Sequence, residues 1–143
     1  MHDAPPTFDI DALFSRAAEA RQHAYAPYSG FAVGAALVDR EGRVHAGCNV
    51  ENAAYPSGTC AEQSAISAMI AAGGRHIVEV AIVGPGHSPV TPCGACRQRL
   101  REFGDADTRI HAGSEGGARR SFTLGELLPK AFGPDHLTAG GPP

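Results

Sequence analysis

Three cysteines placed where helices begin constrain this chain more than any other feature. Cys93 and Cys96 stand in Pro92-Cys93-Gly94-Ala95-Cys96, and Cys60 stands in Thr59-Cys60-Ala61-Glu62. A helix starting at the second segment puts Cys93 and Cys96 on one face. Helix starts also favour a thiolate, because unpaired N–H groups and the macrodipole stabilise negative charge. Pro92 suits a first helical position, and Thr59 is a candidate N-cap for the helix that begins at Cys60. Alone, a Cys-x-x-Cys pair reads as a redox dithiol, half of a structural zinc site, or two ligands of a catalytic one. Cys60 lies far enough upstream to leave room for one helix, one strand and one loop. Two helices starting on the same sheet edge can aim their thiols at one point. Three ligands then leave open the fourth tetrahedral position that marks catalytic zinc. Cys48 stands in another setting and reads as a small buried thiol.

Hydrophobic periodicity supplies the elements that would do this. Asp9 is placed to cap a helix running to Ala24, with Ile10, Leu13, Phe14 and Ala17 at helical spacing. Residues 31–38 and 43–50 read as a hairpin around a turn at 40–42. Residues 60–72 and 93–103 read as helices, closed by Gly73-Gly74 and by Gly104. Residues 76–83, 108–112 and 119–123 read as strands, and 124–128 as a short helix. This order predicts one α/β domain over residues 1–143, with a mixed sheet of about five strands covered by helices. Some strands would pair in parallel through crossover helices. The Pro/Gly-rich ends, 1–7 and 138–143, are expected to fray.

Charge and composition exclude several classes. Twelve Lys+Arg against 15 Asp+Glu leave a net charge of −3, which argues against a nucleic-acid binder. The longest apolar stretches fall short of the ~18 residues a membrane span needs. The N-terminus has no secretory pattern, so a cytoplasmic, reducing setting is expected, where cysteine pairs bind metal or catalyse. No P-loop is present, and no two histidines sit at zinc-finger spacing.

Glu62 gives the proposed metal site its chemistry. An acid beside a metal-activated water can take its proton and later deliver it to substrate. Its place in the first helical turn favours the ionised form a base requires. Taken alone, it is an ordinary acidic residue at a helix start. Three-cysteine ligation with a non-ligand Glu and a Pro-Cys-x-x-Cys segment is, however, the arrangement of zinc deaminases.

The chain resembles the small homotetrameric zinc-dependent cytidine deaminases. The resemblance rests on residues 28–37, 47–53, 60–62 and 92–98, on Glu126-Leu127-Leu128-Pro129 and on Phe132-Gly133. It implies a three-layer α/β/α cytidine-deaminase-like fold, zinc on Cys60, Cys93 and Cys96, and Glu62 as the catalytic proton shuttle. Asn49 and Glu51 look like the ribose-binding pair, Phe31 like the aromatic residue beside the base, and the Ala61 backbone like the contact to the pyrimidine carbonyl edge. Tyr55 and Phe132 match positions that help complete a neighbouring subunit's site, so a homotetramer with shared active sites is implied. Independently, Asn49 and Glu51 are two apart at a strand end and share a face, where amide and carboxylate suit sugar hydroxyls. The Glu51 carboxylate would repel a phosphate, which favours free nucleosides over nucleotides. Many members carry Arg directly after the catalytic Glu; here that residue is Gln63. The expectation is that Gln63 still hydrogen-bonds a ligand sulfur, with the two helix starts and Arg97 offsetting thiolate charge.

The reaction expected is hydrolytic deamination of cytidine and 2′-deoxycytidine to the uridines and ammonia, a pyrimidine-salvage step. Its rivals are a same-fold deaminase of another aminopyrimidine-like nucleoside or base, a polynucleotide deaminase, and a non-catalytic zinc-stabilised protein. A Cys-x-x-Cys redox protein would leave Cys60 and Glu62 without roles.

Overall fold

The computed structural model describes residues 8–138; the end segments 1–7 and 139–143 lie outside the described residues. Thr138, grouped above with a fraying end, instead closes a short helix, its N–H bonded to Pro134 O at 3.3 Å.

The elements follow the order α1 (Ile10–Arg21), β1 (Gly34–Asp39), β2 (Val44–Cys48), α2 (Ala61–Ala71), β3 (Ile77–Gly84), α3 (Gly94–Phe103), β4 (Arg109–Ser114), β5 (Arg119–Thr123), α4 (Leu124–Leu127) and α5 (Pro134–Leu137). A 3-10 turn, Tyr55–Ser57, interrupts the loop before α2. The five strands form one mixed sheet in the order β2-β1-β3-β4-β5. Among the described residues, β3 and β4 are the one strand pair that runs parallel, with α3 as their crossover; β1 runs antiparallel to both its neighbours. The expected α/β sheet is therefore present, with its parallel pair at the crossover.

Side chains alternate across β1 and so build two cores. Ala36 and Val38 face α1, where Leu13, Phe14 and Ala17 pack with Ala81 and Val83. Ala35 and Leu37 face the other way, against Ala61, Ala65, Ile66 and Met69 of α2, Leu100 of α3, and Val80, Ile82 and Ile110. All six β1 residues are buried, as expected of a central strand covered on both faces. This is the expected three-layer arrangement. Two glycines set how closely the helices approach. A Cβ on Gly34 would lie 1.9 Å from Ala17 O of α1, and one on Gly47 would lie 2.5 Å from Ala65 N of α2.

The boundaries depart from expectation where side chains capture backbone groups. β1 begins at Gly34, not at residue 31. Ahead of it, Asn49 accepts from Val33 N–H at 2.9 Å and donates to Phe31 O at 2.8 Å, so an amide replaces the ladder partner. α1 ends at Arg21, three residues before Ala24, in a run of tight turns. At the β1–β2 turn, the buried Asp39 accepts from the N–H groups of Glu41 and Arg43 and from His45 Nε2. Among the described residues no helix is long and apolar enough to cross a membrane.

Candidate metal centre and its pocket

α2 and α3 lie on the same face of the sheet, and their starts converge. Cys60, not Thr59, is the N-cap of α2, its sulfur accepting from Gln63 N–H at 3.4 Å. Cys93 is the N-cap of α3, and the helix opens at Gly94, so Pro92 stands outside it. This shift separates the paired cysteines. Cys96, inside the helix, is 1% exposed, whereas Cys93 is exposed. Cys96 Sγ lies 2.7 Å from Cys60 Sγ, although the two residues are 36 apart in sequence. Cys60, Glu62 and Cys96 bring their ligand atoms within 4.8 Å of one another; the Cys93 sulfur is not part of that group. The soft, thiolate-rich donor set fits zinc.

The electrostatics follow from burial and from shared protons. A hydrogen bond from Cys96, opposed by burial, helps bring the Cys60 thiol down to about 6, aided by Gln63 N–H and the Arg99 guanidinium. Cys96 moves the other way, held as the thiol by its bond to Cys60 and by burial. Burial, then the neighbouring Cys60 charge, raises the Glu62 carboxyl to about 7. The ionised form expected from its helical position is thus opposed by desolvation, and Glu62 is 5% exposed.

Two expectations about charge compensation fail. The Gln63 side chain turns away from the sulfurs and donates from Nε2 to Ser67 Oγ at 3.2 Å; only its backbone N–H reaches Cys60. Arg97 donates to Pro92 O and Leu127 O, tying the α3 start to α4. The cation that does reach the sulfurs is Arg99, with Nη1 3.3 Å from Cys60 Sγ and 3.9 Å from Cys96 Sγ. Arg99 was not among the residues expected at the site. Its one signal was a position three residues after Cys96 on the same helix.

A cavity of about 560 Å³ opens over this cluster. Phe31, Asn49, Glu51, Tyr55, Ala61, Glu62 and all three proposed cysteine ligands line it. Val50 bridges to Thr59 and to Tyr25, which fixes the segment carrying Asn49 and Glu51 along the cavity wall. Both side chains are already engaged with the protein. Glu51 accepts from Tyr28 N–H at 2.9 Å, from Ser29 N–H at 3.1 Å and from the Ser29 hydroxyl. The Ser29 hydroxyl, with the Ser29 and Tyr28 N–H groups, holds the Glu51 carboxyl below the usual carboxylate range. Tyr55, 76% exposed, sits at the mouth edge-on to Tyr28. Phe132 is the exception among the proposed site residues. It lies outside its own chain's cavity, 56% exposed and stacked on His136.

Residues 9–112 match the profile described as "Cytidine and deoxycytidylate deaminase zinc-binding region". The chain belongs to this family. It is 44% identical over 124 residues to a cytidine deaminase of Halalkalibacterium halodurans, covering 87% of this chain and 94% of the relative. It is 42% identical over 132 residues to one from Mycobacterium tuberculosis, covering 92% and 96%. In three dimensions it is similar to the crystal structure of a cytidine deaminase from Burkholderia pseudomallei. That match has a TM-score of 0.84 and 46% identity, over 87% of this chain and 100% of the other.

Proposed function

We propose that this chain is a zinc-dependent cytidine deaminase, hydrolysing cytidine and 2′-deoxycytidine to the corresponding uridines and ammonia. The observation that carries the reading is a buried carboxyl, Glu62, set beside two convergent thiols at the floor of a nucleoside-sized cavity. Cys60 and Cys96 would hold the metal from the two helix starts, with Cys93, which lines the same cavity, as the third sulfur. Zinc bound there would supply the Lewis acidity that makes water nucleophilic at neutral pH. Glu62 accepts the proton of the attacking water as its oxygen adds to C4 of the pyrimidine. It then delivers that proton to N3, takes the proton of the new C4 hydroxyl and passes it to the exocyclic amine, so that the C4–N bond breaks, the C4 carbonyl forms and ammonia leaves.

The cavity wall sorts substrates. Phe31 flanks the base, and the Ala61 backbone meets its carbonyl edge. Asn49 retains a second Nδ2 hydrogen and Glu51 further lone pairs for the sugar hydroxyls, after their bonds to the protein. Glu51 stays ionised and disfavours a phosphate, so nucleosides are preferred to nucleotides. Tyr55 and Phe132 complete a neighbouring subunit's site in a homotetramer, which accounts for two exposed aromatic rings. A cytoplasmic salvage role suits free thiols that must stay reduced.

The test is ammonia release from cytidine, deoxycytidine, CMP and cytosine in parallel, with zinc quantified in the protein. Turnover of the two nucleosides is expected. Turnover of CMP but not of nucleosides would favour a nucleotide deaminase and overturn the substrate reading.

A further inference from the structure

Three thiolates around Zn²⁺ carry a formal charge of −1, which weakens the metal's pull on a bound oxygen unless something offsets it. Gln63 does not, because its side chain is bonded to Ser67. Arg97 does not, because its guanidinium is taken by two carbonyls. Arg99 stands one turn beyond Cys96 on α3, and helical side chains lean back toward the N-terminus. Its guanidinium therefore comes back over the helix start. Nη1 lies 3.3 Å from Cys60 Sγ and 3.9 Å from Cys96 Sγ, so one cation spans sulfurs from two different helices. Among the described residues it is the one side-chain cation hydrogen-bonded to either sulfur.

We propose that Arg99 is the positioning residue of the metal centre, resting on the deaminase reading above. Its guanidinium holds the Cys60 and Cys96 sulfurs together and draws electron density from them; zinc, three thiolates and this guanidinium together would sum to zero. Arg suits this better than Lys, because its fork can address two acceptors at once while an ammonium is a point charge. A bond at 3.3 Å to sulfur is an ordinary length for so large an acceptor, so the contact needs no strain.

Cobalt(II) in place of zinc tests this, because its thiolate-to-metal charge-transfer absorption reports the electron density on sulfur. In Arg99→Gln the band is expected at lower energy than in the wild type. The zinc form should lose about 10- to 100-fold in kcat, the usual effect of removing a partner of a metal ligand, with KM unchanged. Arg99→Lys should return the band part of the way. A merely structural role would lower the melting temperature and leave the band in place. A cobalt band at the wild-type energy in Arg99→Gln overturns the proposal, whatever its kcat. If Arg99→Gln does not fold, Arg99→Lys is read the same way: a displaced band supports the proposal and a coincident one overturns it. Wild-type protein that takes up no metal, or that holds it and releases no ammonia from cytidine, overturns the deaminase reading and this proposal with it.

Discussion

A carboxyl that titrates near neutrality can both take and give a proton at working pH. Glu62 reaches that range because burial and the Cys60 charge outweigh its own backbone N–H, the Cys96 hydrogen bond and the Arg99 charge. Glu62→Gln keeps the volume and removes the transferable proton. Turnover should fall by at least about 10²- to 10⁴-fold, with zinc content by elemental analysis unchanged. Unaltered turnover would remove Glu62 from the reaction. At this scale the spacing of Cys60, Glu62 and Cys96 was legible, since chemistry at two helix starts leaves few other placements. The side-chain directions of Gln63 and Cys93 were not. One rotamer turns Gln63 to Ser67, and a helix opening one residue later puts Cys93 outside the first turn. Arg99 was invisible for a different reason. An Arg on an exposed helix position reads as a solvated charge until the second helix, with Cys60, is set against it.

The two helices that carry the site can only be as well placed as the strands beneath them. α2 lies so close to β2 that Gly47 has backbone where a Cβ would go, 2.5 Å from Ala65 N. Gly47→Ala should push α2 outward, costing about 1–3 kcal/mol of stability by urea unfolding. The displacement should also speed zinc loss to a chelator, because Cys60 moves with α2. Gly94→Ala is the control: nothing lies within 4 Å of its Cβ position, so both measurements should stay near wild type. Periodicity showed all the larger elements, but ends were set by local captures it does not encode. The Asn49 amide shortens β1 by occupying the backbone of Phe31 and Val33. The Cys60 sulfur, not the Thr59 hydroxyl, caps α2. The single parallel pair, β3–β4, followed from the strand–helix–strand order around α3.

Across the molecule, two buried polar clusters on β-strands tie stability to pH. His111 is 3% exposed, with Nε2 3.7 Å from Glu79 Oε2, and burial lowers it below the ordinary histidine value. The unfolded chain therefore binds a proton at about pH 6.5 that the folded one refuses, so stability falls as pH drops below that value. Burial alone would raise Asp39, but the His45 hydrogen bond, the Arg43 N–H and the Arg43 charge bring it below the usual range. Its contribution is present above the ordinary carboxylate pKa and is lost as pH falls through the lowered one. Urea melts from pH 8 to pH 3 should show two descending limbs. His111→Gln should flatten the upper limb only; an unaltered slope would clear His111 of this role. Finally, Cys60 and Cys96 stand 36 positions apart, and the chain between them includes the whole of β3, the strand that divides β1 from β4. The contact between the two sulfurs is therefore non-local, of the kind whose loop-closure entropy must be met before it contributes stability. An ion held by this native contact is expected to act as a latch, slowing escape from the native state more than it speeds folding.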